Sequence, residues 1–201
     1  MARRNEHSLI ELKAIVLNAA ETIITEEGFA ALTIRKIAME MGYTVGSIYM
    51  VFASRAELIL HINARTLEDI TTCLQPISAT ADIEAWLKAY LHYAQTNPDR
   101  WRMIFTPHSP EAEPLPDWYQ AQLNSVFQQF ATHFTQSPQA VQALWQGIHG
   151  ICLLSQSDEI ETSVLLLLRT FFGAGSLTSP DYYQEKVMID TIKFATYESK
   201  K

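Results

Sequence analysis

The stretch GYTVGSIYMVFASRAELI, Gly42 to Ile59, decides the fold. Two glycines, Gly42 and Gly46, flank Thr44, a residue that can cap a helix. Ser47-Ile48-Tyr49 follows, and then a second start signal, Ser54-Arg55-Ala56-Glu57. This signal is a capping box, in which serine and glutamate side chains each satisfy a backbone N–H left free at a helix start. The pattern predicts a short helix from Thr44 to about Phe52, followed at once by a long one.

Upstream, Thr33 can cap another short helix with Ile34, Ile37, Ala38 and Met41 on one face, and Gly42 ends it. Ser8-Leu9-Ile10-Glu11 is a further capping box. Leu12, Ile15, Val16, Ala19 and Ile23 continue from it at helical spacing as far as Gly28. Two short helices joined by a tight turn match a helix-turn-helix, whose second helix enters the major groove of DNA with its N-terminus leading. Gly46 and Ser47 suit close approach to bases and phosphates, Gly42 suits the sharp turn, and free N–H groups at helix starts suit phosphate.

Downstream, the helix opened by Ser54 carries Leu58, Ile62, Leu67, Ile70 and Leu74 and should stop at Pro76. Further helices are expected from Asp82 to Gln95, from a cap at Asn97 with Pro98 in first position, from about Asp117 to Thr135, and from Ser137-Pro138 to about Ser155. Residues 107–116 hold four of the eight prolines and read as a loop. Residues 159–172 are apolar nearly all round, which implies burial on several sides. Ser179-Pro180-Asp181 starts a last helix. The expected fold is all-α: an N-terminal three-helix head over residues 1–54 and a helical body over 55–201.

Bulk properties narrow the function. Hydrophobic residues at 48% and charged residues at 18% indicate a globular chain, not a disordered one. The net charge of −7 argues against nonspecific coating of nucleic acid. Residues 1–60 carry only −1 of it, so a near-neutral head sits on an acidic body, compatible with a local DNA contact. The N-terminus is not a signal peptide and the longest apolar run, Val164 to Leu168, cannot span a bilayer, so a cytoplasmic protein without membrane association is expected. Cys73 and Cys152 read as buried free thiols. No phosphate loop, His-Glu-x-x-His, Cys-x-x-Cys or Gly-x-Ser-x-Gly occurs, and the six histidines show no metal spacing, so no catalytic residue, metal or cofactor is implied.

The first 60 residues resemble the TetR family of transcriptional regulators. The resemblance is carried by Ala19-Ala20, Glu27-Gly28-Phe29, Leu32-Thr33-Ile34, Ile37-Ala38, Gly42, Gly46-Ser47-Ile48-Tyr49, Phe52 and Ser54-Arg55-Ala56-Glu57-Leu58. It implies a DNA-binding head and a divergent helical body that binds a small molecule and dimerises. By position, Thr33 and Tyr49 would contact phosphate, Thr44, Val45, Gly46, Ser47 and Met50 would face the groove, and Arg35 and Arg55 would join the DNA contacts. The family usually has Lys where Arg55 stands, and Arg still delivers a cation to phosphate. It often has an aromatic residue or His where Val51 stands, which removes one polar backbone contact. Periodicity alone would turn Val45 inward with Ile48 and Phe52, whereas the resemblance turns it to the DNA. Arg3 and Arg4 read equally as a DNA-binding arm or a solvated tail.

In the body, Trp145-Gln146-Gly147-Ile148-His149-Gly150 and the stretch from Asn97 to Phe105 resemble a subgroup with a Trp-x-x-x-His-Gly signature. Trp145 and His149 share a helix face. His149 reads either as a polar anchor in a pocket or as a satisfied core histidine. Trp86, Tyr90, Tyr93, Trp101, Phe105, Trp118 and Phe127, with Trp145 and His149, are candidates to line a site for a mostly apolar effector, and equally compose plain core. The expected function is a homodimeric repressor released from a palindromic double-stranded DNA operator by a small molecule. The dimer surface is expected on the helices at 138–155 and 180–196, supported by 159–172. The alternative is a helical protein–protein adaptor, which would account for the acidic body but not for the Gly-Tyr-Thr-Val-Gly-Ser-Ile-Tyr stretch.

Overall fold

Two glycines in left-handed or extended positive-φ conformations punctuate the head: Gly28 at φ 81° and Gly42 at φ 69°. The computed structural model describes residues 8–78, 82–106, 114–155 and 158–172, and among them every regular element is helical. The elements are α1 (Leu9–Glu27), a 3-10 turn (Phe29–Ala31), α2 (Ile34–Met41), α3 (Val45–Tyr49), α4 (Arg55–Ser78), α5 (Ile83–Thr96), α6 (Pro98–Ile104), α7 (Asp117–Ala131), α8 (Pro138–Leu154) and α9 (Ile160–Phe172).

Local chemistry sets most boundaries. Ser8 and Glu11 complete their capping box on α1. Thr33 Oγ1 accepts from Lys36 N at 3.2 Å, and Thr44 Oγ1 accepts from Ser47 N at 3.2 Å. Asp82 and Ser137 cap α5 and α8 in the same way. Four expectations need correction. Helix α3 ends at Tyr49 rather than Phe52, because Phe52 is needed as a buried plug beneath it. Pro76 does not stop α4; it sits in the final turn, where its missing N–H costs one bond without ending the helix. Asn97 makes no side-chain cap, because its amide donates backwards to Tyr93 O and Thr96 Oγ1. Helix α7 ends at Ala131, short of Thr135. The expected loop lies largely, and the last helix and the Arg3-Arg4 arm wholly, outside the described residues.

The buried side chains form two clusters. The head cluster joins Leu12, Val16, Ala20, Ile37, Ile48 and Phe52, and is completed by Leu58, Ile59 and Ile62 of α4 and Met103 of α6. The body cluster joins Leu67, Ile70 and Leu74 of α4 to α5, α6, α7, α8 and α9. Helices α4 and α6 therefore belong to both. A polar seam reinforces the joint. Arg100 of α6 pairs with Asp69 at 2.8 Å and Glu21 at 3.4 Å, and Arg65 of α4 pairs with Glu21 at 3.1 Å. Asn63, fully buried, donates to Met103 O at 3.2 Å.

Helix α9 corrects another expectation. Ile160, Val164, Leu165 and Leu168 are buried, but Leu166 is 64% exposed, as is Leu154 at the end of α8 at 88%. Both are exposed apolar side chains among the described residues. Between the two helices the approach is close: a Cβ on Gly147 would lie 3.0 Å from Leu167 Cδ2. Cys152 is buried and Cys73 exposed, against the expectation for Cys73; both are free thiols.

Gly42 offers a clean test of the turn. Nothing lies within 4 Å of a Cβ built there, so a substitution meets only the left-handed backbone. Gly42→Ala should lower stability by about 1 kcal/mol and Gly42→Asn by less, read from urea midpoints at unchanged slope.

Candidate DNA-contacting surface and effector cleft

Helix α3 is five residues long and presents its outer side to solvent. Val45, Gly46, Tyr49 and Met50 are exposed, Tyr49 at 50% and Met50 at 66%. Thr33, Arg35, Thr44 and Arg55 are exposed on the flanks. Val45 thus turns outward, as the resemblance implies and periodicity alone does not. Ser47 is the correction: it is only 9% exposed, with Oγ 3.0 Å from Thr44 Oγ1, so it braces the helix start from inside. Arg55 is tethered, donating to Leu32 O at 3.3 Å with its guanidinium over the Phe29 ring. Gly46 has ordinary backbone, and a Cβ there would meet Thr44 Oγ1 at 3.6 Å, plain van der Waals contact. Nothing inside the protein requires glycine at this point.

In the body, pairs of aromatic residues four apart on α5, α8 and α6 with its C-cap converge. Trp86 and Tyr90 come from α5, Trp101 and Phe105 from α6, and Trp145 and His149 from α8. Phe127 and Phe130 of α7 close the group. Trp86 stacks on Tyr90 at 5.6 Å, and Trp145 lies 5.2 Å from Tyr90 and 4.8 Å from Phe130. Two candidates do not join. Trp118 lies at the joint, stacked on His61 at 4.7 Å, because the first turn of α7 passes beside α4. Tyr93 faces Arg100 and Asp69, and burial pushes its hydroxyl up to about 12.

A hydrogen-bonded chain runs through the cluster. Trp101 Nε1 donates to Tyr90 Oη at 3.1 Å, and Tyr90 Oη lies 2.6 Å from His149 Nε2. His149 Nδ1 lies 2.7 Å from Trp145 O. A carbonyl only accepts, so Nδ1 carries the proton and Nε2 accepts from the Tyr90 hydroxyl. Every polar atom in the chain is then satisfied internally. Burial lowers the His149 pKa from 6.5 to about 4, with the Trp145 carbonyl opposing it, and raises Tyr90 well above its usual value. The ring is neutral at pH 7 and has no hydrogen bond to spare for a ligand, which favours its reading as a satisfied core histidine.

Beside this chain lies a cleft of about 440 Å³. Its walls are Leu67 and Ile70 of α4, Ile104 and Phe105 of α6, and Tyr90, Phe127 and Trp145. Asn124, Gln128, Gln142 and Gln146 supply carboxamides, and no lining side chain is charged at neutral pH. Those amides escaped the sequence reading, although the spacing of four within each pair was a usable signal. Tyr119, buried at the α4–α7 contact, escaped it too. Among the described residues no three potential metal ligands converge and no helix is long and apolar enough to cross a membrane.

The geometry of a short exposed helix above a helical body has counterparts among known proteins. Residues 16–62 match the family described as bacterial regulatory proteins, tetR family, and residues 83–166 match the tetracyclin repressor-like C-terminal domain. The chain belongs to the TetR family of transcriptional regulators, which are DNA-binding and not enzymes. It is 27% identical over 161 residues to an uncharacterized HTH-type transcriptional regulator, Rv0681, of Mycobacterium tuberculosis, covering 75% of this chain and 74% of that one. To the HTH-type transcriptional regulator Mb1846 of Mycobacterium bovis it is 26% identical over 122 residues, covering 57% of this chain and about half, 51%, of the relative. In fold it is similar to a TetR-family regulator from Streptomyces coelicolor, with a TM-score of 0.62 at 14% identity over 85% of this chain and 100% of that one. A multidrug binding protein, EbrR, complexed with imidazole is similar at TM-score 0.59 and 17% identity, over 83% and 97% of the chains. Small-molecule effectors and dimers are typical of the family.

The His149 shift has a signed consequence. The unfolded chain takes up a proton on this ring near pH 6.5, whereas the folded chain does so only near pH 4. Stability from this site is therefore full above 6.5 and falls by about 3 kcal/mol as the pH drops to 4. Urea titrations between pH 7 and pH 4.5 should show a steep loss in the wild type and a shallower one in His149→Gln.

Proposed function

We propose that the protein is a ligand-responsive repressor, a homodimer that leaves a palindromic operator when a small, mostly apolar effector binds. The observation that carries the DNA half is Gly46. Its smallness answers no internal contact, and it sits among exposed Val45, Tyr49 and Met50 on a helix too short to be kept by its own propensity. A surface that must press against bases and phosphates accounts for it. In this reading Tyr49, Thr33, Arg35 and Arg55 contact phosphate, and Thr44, Val45, Gly46 and Met50 face the groove. Two such helices would occupy major grooves about 34–36 Å apart.

The effector half rests on the cleft. Two of its walls, α4 and α6, are the helices that also enter the head core, so a ligand that wedges them has a direct mechanical route to α3. Aromatic walls and amides without charge suit a neutral, flat molecule; a ligand carrying an unpaired charge would be disfavoured. The ligand acts by binding the DNA-incompetent state more tightly. Open apolar surface at Leu154 and Leu166 supports a dimer interface built on α8 and α9. The stretch Trp145–Gly150 supports placement in the Trp-x-x-x-His-Gly subgroup.

The test is fluorescence anisotropy on DNA from upstream of the protein's own gene, across a salt series. Selective binding with a steep salt slope is expected. Tyr49→Ala should weaken it about tenfold or more at unchanged thermal stability. Gly46→Leu should abolish it while leaving the fold as stable or more so, since leucine favours helix over glycine. Unchanged affinity in both variants, with no selective site recovered from random DNA, would move the reading to an adaptor.

A further inference from the structure

A second pocket of about 290 Å³ shares no lining residue with the cleft, and Trp101 in its wall donates to Tyr90 in the cleft wall. Helical spacing builds it: Leu91 and Ala94 come from α5, Trp101 and Arg102 from α6, Cys152 from α8 and Ile160 from α9. Its walls are mostly apolar, with Gln95 and Ser155 adding polar groups, and burial pushes the Cys152 thiol up to about 11, so no thiolate forms there. Arg102 is the one charged residue of the lining. Its neighbour Arg100 is clamped by Asp69 and Glu21, but Arg102 forms no ion pair among the described residues. A guanidinium with no ion pair among the described residues, at the edge of a mostly apolar pocket, is half of a carboxylate site, because its planar fork matches a carboxylate bidentately.

The geometry points to a second small-molecule site, separate from the effector cleft, that binds a small apolar carboxylic acid with its tail against Leu91, Ala94, Trp101 and Ile160 and its carboxylate on Arg102. The pocket is at the small end for ligand sites, which limits it to acids the size of hexanoate or benzoate. Trp101 ties the two sites together. It lines this pocket, stacks on His149 with ring planes 3° apart, and lies 4.8 Å from Phe105 in the cleft wall. An acid seated here therefore acts on the cleft through one indole.

The test is isothermal titration calorimetry on the full chain with hexanoate and benzoate, each against its primary amide, at a pH where the acid is ionised. It needs no DNA, so it stands or fails apart from the regulator reading. Saturable binding of the acid is expected, at least about tenfold tighter than the amide. Arg102→Gln, a surface substitution that leaves the core untouched, should erase that preference, and Arg102→Lys should restore part of it. No saturable binding, equal binding of acid and amide, or a preference that survives Arg102→Gln would each overturn the assignment.

Discussion

Leu58, Ile59 and Ile62 are buried in one hydrophobic core, and Leu67, Ile70 and Leu74, further along the same helix, in another. A continuous α-helix is stiff over such a length, so α4 cannot tilt in the body without carrying its first turns through the head. Met103 and Trp101 place α6 under the same double obligation. The Arg100 and Arg65 ion pairs with Glu21 add a polar restraint where α1, α4 and α6 meet. Close-packed joints of this kind shift between discrete arrangements rather than bend, which is what a regulator with two states requires.

The body solves a different problem. An aromatic cluster of this density contains indole and phenol groups whose polar atoms are expensive to bury unpaired. The chain from Trp101 through Tyr90 and His149 to the Trp145 carbonyl pairs one indole N–H, one phenol hydroxyl and both imidazole nitrogens at once. It fixes the tautomer of His149 and the rotamers around it, and leaves the cleft a rigid aromatic wall. Trp86 Nε1, by contrast, is buried without a hydrogen-bond partner among the described residues. The cluster is therefore well ordered around His149 and less fully satisfied around Trp86.

How much of this was legible in the sequence depended on the range of the interaction. Capping boxes, the Thr33 and Thr44 caps, and the glycine stops are settled within four residues, and they placed the starts of the head helices correctly, though not the end of α3. Gly42 needed only its own backbone to be read. Ser47, placed at the groove by the resemblance, is instead mostly buried against Thr44 in a contact that exists only once the helix start is formed. Asn97 failed because two earlier acceptors competed for its amide. The i,i+4 aromatic pairs were visible, but not which helices would face one another, so Trp118, which stacks on His61, was grouped with the cleft residues. The carboxamides of the cleft were spaced four apart in two pairs, a signal that needed the facing of α7 and α8 to be recognised.

The shared packing of α4 and α6 also bears on how such proteins can be recombined. A head cut away at residue 54 leaves behind Leu58, Ile59, Ile62 and Met103, the floor of its own core. Grafting that head onto another regulator's body succeeds only if the new body offers a matching floor from two separate places in its sequence. Substitution is simpler at the level of α3's exposed outer side chains, Val45, Tyr49 and Met50, than at the level of whole segments.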